Sequence, residues 1–272
     1  MKISVIFAHF NRPAYLEKTL WSYYHLHKNL KEVEFIVVDD FSSKTAEEVC
    51  KKLSPKMNIV YYERTGEKRQ GAGIFAFNKA AELASGDIII IANPECMPIS
   101  PILEEASYKL EKNIYLTFKC YSLSSDTQEK INLLDFSKSN VFNQMREFLV
   151  FSPSCVTTEG QDGWYNHPQF RPKFYHFTAG LRRKTYIEMG GFDELFGDGV
   201  AFEDDDFIRR LRLQNIPFVF ADGTVLHQNH YKDSWAVSDM SLVARNQTLF
   251  IQQQAKKNWK AEQSLLYKEN LL

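Results

Sequence analysis

KISVIFAHFNRPAYLEKTLWSYYHLHKNLKEVEFIVVDDFSS, residues 2–43, carries two apolar, β-rich runs separated by one amphipathic helical run. Residues 2–8 read as a buried strand. Asn11 offers a helix N-cap, and Pro13 suits an early helical position, where a missing N–H costs nothing. Leu16, Leu20 and Tyr24 then recur every four residues to make one apolar face. Residues 34–38 (EFIVV) form the second strand, which ends in Asp39 and Asp40, and Ser42 or Ser43 can cap a helix near residues 45–53. The alternation continues. Residues 58–62 predict a third strand, residues 72–84 a helix with Gly86 as terminator, and residues 87–91 (DIIII) a fourth strand whose unbroken apolar run fits a sheet centre. This order is the signature of an α/β fold with a mostly parallel central sheet flanked by helices.

Beyond residue 118 the pattern changes. Residues 119–175 lose periodicity and are rich in Ser, Asn and aromatic residues, so they read as an insertion of substrate-facing loops. Order returns from residue 176, with a helix near 184–189, a Gly190-Gly191 turn, a helix over 203–214 and a strand over 217–221. The tail, from about residue 237 to 266, is helical by composition and contains Lys256, Lys257, Trp259 and Lys260. The expected organisation is one domain over 1–235, made of a 1–118 half, the 119–175 insertion and a 176–235 half, followed by a helical tail over 236–272.

Composition narrows the function classes. Hydrophobic content of 44% and charged content of 25% describe a globular chain, and 272 residues can bury a full core. A net charge of -1 gives no basic face, which argues against a nucleic-acid partner. Cys50, Cys96, Cys120 and Cys155 show no CxxC spacing and read as reduced thiols. The chain enters its first strand at once, and nothing approaches the roughly 18–20 apolar residues of a membrane span. A cytoplasmic protein is expected, at most peripheral at the inner face of the membrane. A basic, aromatic C-terminal helix would supply that contact or a homo-oligomer interface.

Four constellations carry chemistry. VIFAHFNRP (5–13) and VVDDFSS (37–43) both sit at strand ends, where ligands of open α/β sheets bind. A carboxylate there can accept the N3 proton of uracil, while Ala8, His9, Phe10, Asn11 and Arg12 line the first loop. The plainer reading is that Asp39 and Asp40 end a strand and cap a turn. ANPECMP (92–98) follows the fourth strand; Asn93 lies beside the nucleotide, and Glu95 can hold a divalent ion that neutralises a leaving diphosphate. A lone Glu between two prolines is equally readable as solvated. GGFDELFGDGVAFEDDDFIRRL (190–211) puts four acids, residues 203–206, in the first turn of a helix whose apolar face is Phe207, Leu211 and Leu213. The helix dipole accounts for one or two of them, whereas four repelling charges call for a metal, sugar hydroxyls or arginines as partners. Glycines 190, 191, 197 and 199 allow tight turns and close approach to a ligand. VLHQNH (225–230) supplies His227, a metal ligand or an ordinary hydrogen-bonded histidine.

The order VIFAHFNRP, VVDDFSS, AELASGDIIIIANPE, GGFDE, FEDDDF and a late His resembles family 2 glycosyltransferases of the GT-A fold, a Rossmann-like α/β architecture. The later half resembles the galactosyltransferase C-terminal segment. The resemblance covers residues 1–118 and 176–230. It implies that Asp40 contacts uracil, Glu95 replaces the final Asp of the DxD motif, and His227 completes a Mn2+ or Mg2+ site. It also implies that Asp204 is the catalytic base, with Glu203 and Asp205 holding the acceptor. The motif departs from DxD in reading Asn93-Pro94-Glu95, one carboxylate fewer. The implied enzyme is an inverting, metal-dependent transferase moving a hexose or N-acetylhexosamine from a UDP-sugar to a glycan or glycolipid acceptor in surface polysaccharide synthesis. The rivals are a noncatalytic nucleotide-sugar-binding module and a scaffold subunit of a polysaccharide-assembly complex.

Overall fold

The computed structural model describes residues 1–27, 30–66, 73–153, 162–230, 239–267 and 271. Its first half alternates as the sequence predicts: β1 (Ile3–His9), α1 (Pro13–Leu26), β2 (Val33–Asp39), α2 (Glu47–Leu53), β3 (Ile59–Glu63), α3 (Ile74–Leu83) and β4 (Ile88–Ala92). These four strands pair in parallel in the order β3-β2-β1-β4. Side chains alternate across the sheet, so each strand feeds two cores. Phe7, Val37 and Ile90 pack with Leu16 and Leu20 of α1 on one face. Ile6, Val38 and Ile91 pack on the other with α3 and with Phe207 and Leu211. All four isoleucines of β4 are fully buried, each worth about 1.5–3 kcal/mol, which places β4 at the centre.

The second half comprises β5 (Cys96–Pro98), α4 (Ile102–Lys109), β6 (Tyr115–Ser122), α5 (Ser125–Asn132), α6 (Val141–Arg146), β7 (Gly163–Asn166), β8 (Thr178–Arg182), α7 (Arg183–Glu188), α8 (Glu203–Leu213), β9 (Phe218–His227) and α9 (Met240–Ala255). Here the sheet is mixed: β8 pairs antiparallel with β4 and β6, and β9 pairs parallel with β6 and antiparallel with β5. Because β8 is reversed relative to both neighbours, β6 and β9 run in the direction of β4. The carboxyl ends of β1, β2, β4 and β9 and the amino end of β8 therefore share one edge. The architecture is α/β, a curled sheet flanked by helices.

Several local expectations are corrected. Asn11 is not the N-cap of α1; it adopts φ 55°, Arg12 takes the cap position, and the Asn11 Oδ1 accepts from Ser43 N and Lys44 N. Neither serine caps α2, whose N-cap is Ala46; Asp39 accepts from the amides of Ser42 and Ala46 instead. Gly86 does not terminate α3 in a left-handed turn. It packs on β1, where a Cβ would lie 2.7 Å from Ser4 N. The 119–175 segment is not only loops, since it holds α5, α6 and β7. Leu213 is 38% exposed, and the buried face of α8 is Asp206, Phe207, Ile208, Arg210 and Leu211. The C-terminal helix ends at Ala255, so Lys256, Lys257, Trp259 and Lys260 form no helical face. Trp259 packs against the core and Lys256 pairs with Glu262. Ala72, Cys155 and the 235/236 boundary lie outside the described residues; Cys50, Cys96 and Cys120 are free and buried. Among the described residues no helix is long and apolar enough to cross a membrane.

Candidate active site

Every chemistry-bearing stretch reaches the shared sheet edge. At the end of β1, His9 is fully buried; its Nδ1 lies 2.9 Å from Asp39 Oδ2 and its Nε2 accepts from Arg12 N. Asp39 is fully buried as well. Its oxygens serve His9, Ser42 and Ala46, and although burial opposes ionisation these bonds keep its pKa below the usual carboxylate range. Asp39 thus shapes the loop from within. Ala8 and Phe10 flank His9, and Asn11 ties the first loop to residues 42–44. Asp40 pairs with Arg64, whose guanidinium lies between the rings of Phe41 and Phe75 at 5.2 and 5.1 Å. Arg64 had no signal in the sequence beyond its place after β3.

Past β4, Asn93 N donates to Phe177 O, and Cys96 N to Asn93 O, bending the loop so that Glu95 points inward. Gln228 fixes this bend: its N donates to Glu95 O, and its Nε2 to Tyr15 O and Thr19 Oγ1. Glu95 Oε1 accepts from Arg12 Nη1 at 2.9 Å and lies 3.6 Å from His227 Nε2 and 3.5 Å from His230 Nε2. Burial alone would raise the Glu95 pKa. Arg12 first, then His230 and His227, hold it well below the usual range. Ligand atoms of Glu95, His227 and His230 all lie within 4.8 Å of one another, and Glu95 Oε2 is buried with no hydrogen-bond partner among the described residues. An orphaned, charged oxygen beside two imidazoles fits a divalent transition-metal ion. His230 was missed in the sequence, although the His-x-x-His spacing of residues 227–230 was its signal.

The acid cluster divides by partner. Asp206 is a structural residue, 1% exposed, bound by Arg209 and by Arg210, whose Nη1 and Nη2 also reach Met189 O and Gly191 O. Asp205 Oδ1 accepts from Tyr175 Oη at 3.1 Å. Asp204 Oδ1 lies 2.6 Å from His176 Nδ1. Glu203, desolvated and beside Asp204, has its pKa raised to about 8. Two successive left-handed residues, Ala201 (φ 64°) and Phe202 (φ 68°), lead into the cluster. Asn246 Nδ2 donates to Ala201 O and Phe196 O, and Phe202 stacks on Phe250. The expected ligand-facing glycines instead permit internal packing: a Cβ at Gly191 (φ 58°) would meet Asn78, one at Gly197 Phe75, and one at Gly199 Asn246. An aromatic wall joins the acids to the histidines, since Tyr175 packs on Phe177, Phe177 on Tyr165, and both Phe177 and Tyr165 on His227.

Comparison with known proteins agrees with the fold. The model of glycosyl transferase family 2 matches residues 4–156, more than half of the chain. Among solved structures, the mannosyltransferase PcManGT from Pyrobaculum calidifontis, in complex with GDP-Man and Mn2+, is 16% identical with a TM-score of 0.59, over 92% of this chain and 64% of that one. S. aureus TarS 1-349 in complex with UDP is 17% identical with a TM-score of 0.55, over 84% and 58%; its complex with UDP-GlcNAc gives 16% and 0.55, over 84% and 56%. Such identities show the fold, and the chain spans less than two thirds of each of these proteins. A search of curated proteins finds no match.

Proposed function

The chain belongs to glycosyl transferase family 2, and from that premise we propose that it transfers a hexose or N-acetylhexosamine from a UDP-sugar to a carbohydrate acceptor, with inversion at the anomeric carbon. The observation that carries this reading is the convergence on one sheet edge of Asp40, the Glu95-His227-His230 cluster and Asp204. The three parts supply what the reaction needs.

Asp40 accepts the uracil N3 proton, and Arg64, close to the rings of Phe41 and Phe75, orients that carboxylate and donates to the base. Glu95, His227 and His230 would hold Mn2+ or Mg2+, and two imidazoles favour Mn2+. A divalent ion there supplies positive charge that stabilises the departing diphosphate. Loss of one DxD carboxylate is offset by the second histidine. Arg12 places a further fixed cation on Glu95, beside the same site. Asp204 takes the proton of the attacking acceptor hydroxyl. The acceptor oxygen bonds to C1 as the C1–O bond to the β-phosphate breaks, and that electron pair leaves with UDP. Glu203, neutral at pH 7 given its raised pKa, donates a hydrogen bond to the acceptor, and Asp205, braced by Tyr175, accepts one.

The test is release of UDP from a panel of nucleotide sugars, with a panel of oligosaccharide acceptors, in Mn2+ and in chelator. Metal-stimulated, acceptor-dependent release from a UDP-sugar is expected. Equal release from GDP- and UDP-sugars would remove the uracil assignment, and no acceptor-dependent release from any donor would remove the transferase reading.

A further inference from the structure

We propose that His176 is a positioning residue that orients Asp204 for proton abstraction. The proposal rests on the reading of Asp204 as the base, and it begins with where His176 sits. It immediately precedes Phe177 and β8, so its backbone is fixed at the reactive edge, where Thr178 pairs with Ala92 at the end of β4. The residue is 8% exposed, and its ring is clamped by two others, Phe77 of α3 at 5.4 Å and Phe192 of the Gly191-Phe192 turn at 4.9 Å, both edge-on. These contacts leave the imidazole little freedom except to present Nδ1 to Asp204 Oδ1, 2.6 Å away. Among the described residues, no group other than this imidazole is placed to bond Oδ1. Oδ2 is the oxygen left for the acceptor.

Charge gives the same assignment. The titratable groups around the pair are Glu203 and Asp205 on α8, Tyr175 on the preceding segment and Tyr115 on β6; Phe77 and Phe192, the rings that clamp the imidazole, carry no charge. Lys173 and Arg212 also act on Asp205, and Arg171 on Tyr175, but the groups acting on the His176 ring itself, Asp204 and Glu203, are acidic. Burial by itself would make His176 hard to protonate, but Asp204, and then Glu203, raise its pKa above the ordinary histidine value. Among the described residues, the His176 imidazole is the ion-pair partner in direct contact with Asp204. During transfer the proton of the acceptor hydroxyl passes to Asp204 Oδ2, and His176 exchanges no proton with substrate.

Two variants separate positioning from bulk. His176→Asn keeps a donor where Nδ1 stands, whereas His176→Phe keeps the ring and removes both donor and charge. His176→Phe should lower kcat by about ten- to a hundredfold, the size of effect an outer orienting partner carries, with KM for the donor unchanged. The acid limb of its kcat/KM profile should move up by about one pH unit or more, because the opposing charge is gone. His176→Asn should recover much of kcat while its acid limb stays shifted. UDP binding in Mn2+ reports that each variant is folded. A rate loss equal at every pH, with no recovery in His176→Asn, would overturn the proposal, as would a profile for His176→Phe that matches the parent. Should Asp204→Asn keep normal turnover, the base assignment itself has failed. Loss in Asp204→Asn with a normal His176→Phe overturns only the role of His176.

Discussion

Asp204→Asn leaves the shape of the site intact and removes one capacity. The amide oxygen can face His176 Nδ1 as the carboxylate oxygen now does at 2.6 Å, so the side chain keeps its rotamer and turns its NH2 toward the acceptor. An amide cannot accept the acceptor's proton at neutral pH. General-base removal costs about 10² to 10⁴ in rate, or about 3–5 kcal/mol in the barrier. The donor should be indifferent, since its contacts lie at Asp40 and at the Glu95 cluster. The assay is initial-rate UDP release at saturating acceptor, set beside calorimetric UDP affinity in Mn2+. The neighbours are controls of different kinds. Asp205→Asn disturbs only the bond from Tyr175 and should raise acceptor KM more than it lowers kcat. Asp206→Asn breaks a buried pair with Arg209 and Arg210 and should cost about 3–5 kcal/mol of stability before it affects chemistry. Near-normal turnover in Asp204→Asn, with kcat lost in Asp205→Asn, would refute the assignment by one residue. Activity in both would move the base elsewhere.

Glu95→Gln and His230→Ala should each weaken Mn2+-dependent UDP binding by more than the ~10–100-fold that loss of an outer-shell partner costs, read by titration of Mn2+ against UDP binding. Asp40→Asn should erase preference for UDP over GDP and ADP, and Arg64→Ala should weaken UDP while leaving Mn2+ binding alone; calorimetry with the three nucleotides checks both. Glu203 gives a pH dependence of stability: its folded pKa of about 8 lies above the ordinary carboxyl value, so its contribution is full in acid and is lost as pH rises through 8. Thermal midpoints at pH 6 and 9 should differ more in the parent than in Glu203→Gln.

The first half of the fold was legible because its strands are buried on both faces and read as continuous apolar runs, with Ile88, Ile89, Ile90 and Ile91 the plainest case. In the second half α7, α8 and the start of β9 were legible as well, but the strand pairing was not, because β7, β8 and β9 pair through distant partners that no local period encodes. At the site, the carboxylates were visible as strand-end and helix-start acids. Their partners were not: Arg64, His176 and Tyr175 are single residues whose meaning lies in contacts 24, 28 and 30 positions away in sequence. The glycine loop misled for a related reason. Close backbone approach was expected toward a ligand, whereas Asn78, Phe75 and Asn246 occupy that space.

Ala201 and Phe202 store strain where the chain turns into α8. A left-handed residue with a side chain costs on the order of 1–3 kcal/mol and persists only when its surroundings force it. The forcing group is Asn246, fully buried on α9, whose amide grips Ala201 O and Phe196 O. The arrangement is a sprung catch, with the spring beside the reactive carboxylate and the latch on a helix near the end of the chain. The entry into α8 therefore keeps its shape through a side chain on α9, and the turn and the distant helix stand or fall together.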